Sequence, residues 1–374
     1  MKVVIAIDSF KGSLSSIEAG EAVRDAFLRR HPDGEAIVRP LADGGEGTVD
    51  ALASGLTGEI RRVSVTGPLG EQTVAKYSVV NGGTAVIEMA EAAGLTLVPD
   101  GKRDPRYTTT YGVGELIKHA IKSGCRSFIV GIGGSATNDG GVGMLSALGF
   151  SFLDKNGCEI PRGASGLDSL ASIMTDGALP ELSECTFRVA CDVNNPLLGE
   201  RGCSAVYGPQ KGATPESVMT MDKALAEYAR LTRKILPESD PDAKGSGAAG
   251  GLGFAFRSYL GASLLPGIGI ILEETRLEDY IKDADLVVTG EGRLDSQTAM
   301  GKAPIGVAAL AKKHGKRVIA FSGAVTDDAE LLNKHGIDAF FPILRRITTL
   351  EEALDKSTAY KNLTATAYQV FGLI

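Results

Sequence analysis

The sequence predicts an α/β protein: a doubly wound, Rossmann-like parallel-sheet domain made from both chain ends, with a second, mixed α/β domain inserted and the active site in the interdomain cleft. Three observations carry this expectation. Short apolar runs bounded by turn residues recur at 3–7, 36–41, 128–132, 286–289, 318–321 and 339–343, as expected of strands buried on both faces. Helical stripes alternate with several of them, the rhythm of parallel strands joined by crossover helices. Residues 59–90 and 150–280 break that rhythm and mark the insert.

The elements follow in order. After the first run, Ser15, Ser16, Ile17 and Glu18 form a capping box, and Ala19, Ala22, Val23, Ala26 and Phe27 follow at the spacing of one buried helix face. Runs 61–65, 74–80 and 84–89 are joined by Gly67-Pro68-Leu69-Gly70 and Asn81-Gly82-Gly83, connections of hairpin type that imply antiparallel pairing. Val113, Leu116, Ile117, Ala120 and Ile121 form a second helical stripe that stops at Gly124. The middle of the chain adds a strand at 186–191 and a long helix between about 215 and 236. Residues 1–58 and 281–374, with 110–149 as a candidate addition, are therefore assigned to the parallel domain, and 59–280 to the insert.

Composition narrows the function. Glycine fills 48 of 374 positions without a collagen period, well above the usual ~7%, which points to turns where backbone meets ligand. The net charge of −7 argues against a broad basic surface for nucleic acid or anionic membrane. Cys125, Cys158, Cys185, Cys191 and Cys203 show no metal or C-x-x-C spacing and read as small buried hydrophobes of a reduced, cytoplasmic protein. The longest uncharged stretch, 258–272, is broken by Pro266 and glycines and is too short to span a bilayer. No H-E-x-x-H, H-R-D, G-x-S-x-G or Walker sequence occurs, which removes zinc hydrolysis, the protein-kinase set, the serine-hydrolase elbow and the P-loop. The one G-x-G-x-x-G, 245–250, follows Asp-Pro-Asp-Ala-Lys instead of a strand and is read as a flexible small-residue loop.

Five polar, glycine-bearing segments remain. In 8–13, Ser9 and Lys11 stand before a helix N-terminus, where a lysine can flank a phosphate; a plain helix cap with a surface lysine fits equally well. In 42–48, Asp43, Gly44, Gly45 and Glu46 set two carboxylates among glycines, to hold Mg²⁺ through water, to bond hydroxyls, or simply to turn the chain. Segment 131–141, with Gly133, Gly134, Ser135, Thr137 and Asn138, is the most diagnostic, because amides without Cβ obstruction can wrap a phosphate chain. In 190–197, Asp192 at a strand end can take a hydroxyl proton and Asn194 or Asn195 can hold an oxygen, with Lys211 shortly downstream; a turn is the plain alternative. Segment 289–298 offers Glu291, Arg293, Asp295 and Gln297 on one loop, a mixture suited to metal and carboxylate binding. Together they form an inventory for phosphoryl transfer, where positioning and charge neutralisation do most of the work.

In this order the segments closely resemble the type I glycerate kinase family of bacterial glycerate and glucarate breakdown. The matching stretches are 8–14, 40–48, 133–141, 190–197, 207–213, 247–253 and 289–304, nearly the whole chain. The resemblance implies ATP- and Mg²⁺-dependent phosphorylation of D-glycerate, typically to 2-phosphoglycerate, by a cytoplasmic two-domain enzyme. It suggests Asp192 as the group that removes or orients the hydroxyl proton, Lys11 at the transferring phosphoryl group, and Glu291 and Asp295, with Asp192, around Mg²⁺. Asp295 thereby joins the catalytic set, and Arg293 is the partner for the glycerate carboxylate. Small-molecule partners are implied, not nucleic acid or membrane, with a homo-oligomer left open. The 3-phosphoglycerate product and a non-catalytic nucleotide or hydroxy-acid sensor are the alternatives.

Overall fold

The computed structural model describes residues 1–42, 47–56 and 58–374 and divides into two compact units. Met1–Asp43, Asp50–Gly58 and Ile268–Ile374 form the first; Gly44–Val49 and Glu59–Gly267 form the second. Residues 110–149 thus lie in the second unit and 268–280 in the first.

The first unit is built on a parallel sheet of order β13-β12-β11-β1-β2, with β1 at Lys2–Ile5, β2 at Glu35–Val38, β11 at Leu286–Leu294, β12 at Arg317–Val325 and β13 at Ala339–Pro342. Alternate residues on each strand face opposite ways. Val3, Ile5, Val288, Ile319 and Phe321 join one core with Ala19, Val23 and Phe27 of the Ser16–Arg30 helix and Leu363, Ala367 and Phe371 near the chain end. Val4, Val287 and Ala320 point away from that core and are fully buried as well, so both faces of the sheet are covered, as the apolar runs predict. The Ser16–Arg30 helix starts at the expected box: Ser15 Oγ accepts from the Glu18 amide, and the Glu18 carboxylate accepts from the Ser15 amide at 3.1 Å.

One expectation fails here. Glu291, Gly292 and Arg293 lie on a strand and not on a loop, because β11 runs on to Leu294. The reason is non-local: β12 supplies partners as far as Leu294↔Val325, and Gly290 lets the two backbones close up, since a Cβ there would sit 2.1 Å from the Phe321 carbonyl oxygen.

The second unit has a mixed sheet of order β10-β9-β6-β5-β4-β3. Strands β3 (Glu59–Thr66), β4 (Gln72–Val80) and β5 (Thr84–Glu88) pair antiparallel, as their turns predict. Strands β5, β6 (Ser127–Gly131), β9 (Thr186–Ala190) and β10 (Ser263–Leu265) run parallel. A two-stranded ladder, β7 (Ser151–Leu153) with β8 (Ser172–Met174), stands apart. The second stripe forms the Tyr111–Lys122 helix, and the long helix spans Pro215–Ile235 from a Thr214–Ser217 capping box. Phe128 stacks on Phe187 at 4.7 Å between centroids, in the middle of an aromatic-rich core.

The second unit departs from the sequence expectations at two points. Segment 245–253 is packed, not a flexible loop: Ala248–Leu260 is a helix with left-handed residues Ala249, Gly250 and Gly251 inside it. Glycine serves close packing at this point, since a Cβ on Gly250 would lie 2.0 Å from the Thr137 carbonyl oxygen. Nor are all five cysteines buried. Cys158 is exposed, on a turn whose amide donates to Asp154, and all five are free thiols. Among the described residues no helix is long and apolar enough to cross a membrane.

The first unit's core closes with Phe27 meeting Phe371 edge-on at 5.2 Å. Phe27→Ala should destabilise this unit by about 3–5 kcal/mol, read as an earlier urea transition in the full chain; a loss under 1 kcal/mol would mean that the helix pair does not carry the core.

Candidate functional site

In the second unit four parallel strands end side by side. Glu88 pairs with Gly131, Gly131 with Ala190, and Ala190 with Leu265. Neighbouring strands lie about 4.8 Å apart, so segments 131–141 and 190–197 leave adjacent points of one sheet edge. That is the carboxyl end of the parallel strands, where open α/β sheets bind ligands.

The glycine-rich segment is held from below. The Leu95 amide donates to the Gly134 carbonyl and the Ala136 amide to the Ala93 carbonyl, which leaves Gly133 and Gly134 exposed at the crest. Lys211 is buried beneath them. Its ammonium donates to Ser135 Oγ and to the Thr137 carbonyl, each at 2.7 Å. Burial pulls the Lys211 pKa down to about 8, with Cys203 and Asp139 pulling the other way. Asn138 donates to Ser204 Oγ at 2.8 Å. Ser135, Thr137 and Lys211, expected from the sequence to bind ligand, are therefore one hydrogen-bonded group, while Asn138, expected with them, is tied separately to Ser204.

Two buried carboxylates escaped the sequence reading. Asp139 accepts from the Thr110 amide and hydroxyl and from the amides of Gly141 and Gly143, fixing the turn into the Val142–Ala147 helix. Burial raises its pKa against those donors. Glu88, the last residue of β5, accepts from the amides of Val49 at 2.7 Å and Gly47 at 3.3 Å. Burial pushes its carboxyl up to about 7, with Glu91 adding to the rise and Lys76 opposing it. The available signals were a lone acid inside the apolar run 84–89 and an acid before Gly140-Gly141.

After β9, Asp192 accepts from the Gly267 amide at 3.0 Å, and Asp192 and Asn194 are both exposed. Asn195 is committed to structure: it accepts from the Tyr207 hydroxyl at 2.7 Å and donates to the Arg201 carbonyl.

The first unit gathers a second set. The Asp8 amide donates to the Gly290 carbonyl, and a Cβ on Gly292 would lie 3.3 Å from the Lys11 amide nitrogen, so segment 8–11 runs beside 290–292. The Ser9 amide donates to the buried Asp8 carboxylate at 2.7 Å, and Lys11 is exposed. Glu291 accepts from the Thr298 hydroxyl at 2.5 Å and lies 3.9 Å from the Lys302 ammonium. Thr298 Oγ1 in turn accepts from the Asp295 amide, so one hydroxyl ties the Glu291 carboxylate to the main chain at Asp295. Asp295 accepts from the amides of Gln297 and Thr298 and lies 3.3 Å from Arg293 Nε. Gln297 itself is exposed and takes part in this turn through its backbone. Asp43, Gly44, Gly45 and Glu46 lie outside the described residues. Among the described residues no group of three His, Cys, Asp or Glu side chains is assembled for a metal ion.

Comparison with known proteins adds an independent line. A model of the glycerate kinase family matches residues 3–374. A glycerate 2-kinase of Escherichia coli (strain K12) is 49% identical over 364 residues, covering 97% of this chain and 95% of that protein. A glycerate kinase of Bacillus subtilis (strain 168) is 48% identical over 366 residues, covering 98% and 96%. A crystal structure assigned to glycerate kinase 2 of Salmonella typhimurium LT2 superimposes with a TM-score of 0.91 at 48% identity, covering 100% of this chain and 98% of its own.

Glu88 yields a pH test. Its folded pKa of about 7 exceeds the ordinary 4.5, so the folded state keeps the proton longer and stability falls as pH rises through that window. Glu88→Gln removes the titration. Its advantage over the parent should grow by about 3 kcal/mol between pH 4.5 and 8, followed by urea unfolding at each pH; a constant difference would show that the carboxyl titrates normally.

Proposed function

The chain belongs to the glycerate kinase family, and from that premise we propose that it transfers the γ-phosphoryl group of ATP to D-glycerate with Mg²⁺, giving 2-phosphoglycerate. The observation that carries this reading is the lysine-clamped turn of Gly133, Gly134 and Ser135 at the carboxyl edge of a parallel sheet. Exposed glycine amides on a rigid base suit a phosphate chain, since the backbone can approach the oxygens without side-chain obstruction.

Each group then has a task. Gly133, Gly134 and Ser135 receive phosphate oxygens, with Thr137 and Asn138 shaping the base of the turn. Asp192, exposed beside that turn's sheet edge, orients the glycerate hydroxyl and accepts its proton, and Asn194 steadies the same substrate. From the first unit, Lys11 and Ser9 act on the transferring group, while Arg293 and Gln297 hold the glycerate carboxylate; a guanidinium is suited to grip a carboxylate by two parallel bonds. Asp43 and Glu46, with Gly44 and Gly45, are assigned to substrate hydroxyls. Glu291 and Asp295, bridged through the hydroxyl and amide of Thr298, offer oxygen donors alone, which fits a hard cation that keeps several waters and leans on substrate phosphates. When bound, Mg²⁺ would neutralise charge on the triphosphate. A reduced intracellular setting accords with the free thiols.

Two measurements test this reading. ADP release in a coupled assay should require ATP, Mg²⁺ and D-glycerate together, and phosphorus NMR should show a secondary phosphate ester; a primary ester would reassign the product to 3-phosphoglycerate, and binding without ADP release would make the chain a sensor. Asp192→Asn should lower kcat about 10²-fold or more with little change in KM for ATP, whereas near-parental turnover would remove Asp192 from proton transfer.

A further inference from the structure

The first unit carries a basic groove that none of the preceding chemistry uses. It runs along the outer face of the Lys356–Val370 helix, encloses about 460 Å³, and is lined by Arg29, Arg345 and Lys361 together with Tyr360, Thr364 and Tyr368. That volume falls within the range of small-ligand sites, roughly 300–1,000 Å³. Tyr360 and Tyr368 stand two turns apart, about 12 Å along the helix, with Thr364 midway.

Charge makes the groove unusual. The chain as a whole is at −7, yet the lining holds three cations and no carboxylate. Among the described residues none of the three forms an ion pair. Two acids stand close by: Asp25 accepts from the Tyr360 hydroxyl at 2.8 Å, and Asp355 caps its helix by accepting from the Thr358 amide and hydroxyl while its charge also meets that of Lys361. Arg29 is steadied over the Tyr368 ring at 5.1 Å to the centroid, a cation–π contact that orders the guanidinium without neutralising it. Three cations around a small pocket on an acidic protein, only Lys361 of them facing a carboxylate, that of Asp355, concentrate an anion locally.

We infer that this groove binds a phosphorylated organic acid, an anion whose phosphate and carboxylate together bring about three negative charges to Arg29, Arg345 and Lys361. The guanidinium forks suit the planar carboxylate and the phosphate oxygens, and the lysine adds a point charge; the Thr364 and Tyr360 hydroxyls already donate to the Tyr360 carbonyl and to Asp25, so the cations carry the recognition. Arg29 lies in the last turn of the Ser16–Arg30 helix, about 20 Å along its axis from the end that segment 8–13 enters. The Arg29 end of the groove thus lies away from segment 8–13, and the inference does not depend on the assignment of groups to phosphoryl transfer.

The test uses phosphoenolpyruvate as the probe on the full chain. Calorimetric titration at low salt should give saturable binding that weakens as salt is raised. The double variant Arg345→Ala, Lys361→Ala should raise Kd at least tenfold while kcat with ATP and D-glycerate stays within twofold; both side chains are exposed, so the fold should be unaffected. Inorganic phosphate and citrate, titrated separately, should each bind more weakly than the probe. An unchanged Kd in the double variant would overturn the proposal by moving the binding elsewhere. Citrate binding as tightly as phosphoenolpyruvate would overturn the phosphate requirement. Loss of a dimer in the double variant, seen by sedimentation velocity, would overturn the small-anion reading in favour of self-association.

Discussion

A buried lysine ammonium under a glycine-rich turn is the interaction on which the second unit's candidate site depends. Glycine carries no side chain with which to fix its own conformation, so a turn of Gly133 and Gly134 must take its shape from neighbours. Lys211 supplies that shape by bonding Ser135 Oγ and the Thr137 carbonyl, and Asp139 does the same on the far side through the Gly141 and Gly143 amides. Buried charges of this kind are costly unless every hydrogen-bonding position is used. Their presence gives a backbone that is open at the top and held at the base.

The first unit reaches a similar end by different means. Its set is carried by β11, whose extension past Gly290 puts Glu291 and Arg293 on a strand paired with β12. A strand holds alternate side chains more firmly than a loop, and the Thr298 hydroxyl then links Glu291 to the Asp295 turn. The acids are thereby organised by backbone pairing and by the Thr298 hydroxyl.

Local signals in the sequence were legible wherever one element decided its own structure. The capping box at Ser15, the stripe from Val113 to Ile121, and the hairpin turns after β3 and β4 all depend on residues within a few positions of one another. The reading failed where a distant partner decided. Gly290 and Gly292 look like loop residues until β12 is laid beside them, and 245–253 looks flexible until the Thr137 carbonyl is found against Gly250. The site was legible as segments but not as a network: Lys211 was expected to face ligand, and nothing in its neighbourhood announces that it points inward at Ser135. Glu88 and Asp139 were hidden for the same reason, being acids whose partners are backbone amides.

The pairing of β1 with β11 also has a consequence for synthesis. Val3 lies opposite Leu286, so the first strand cannot complete its sheet until nearly three hundred residues have been made. At roughly 5–20 residues per second, that is a wait of some tens of seconds. Through that time the ribosome-bound chain holds an apolar strand with one edge unpaired, an adhesive template for other nascent chains. The second unit, nearly continuous in the intervening polypeptide, can fold during the delay, and holdase chaperones would find their natural client in the waiting N-terminal segment.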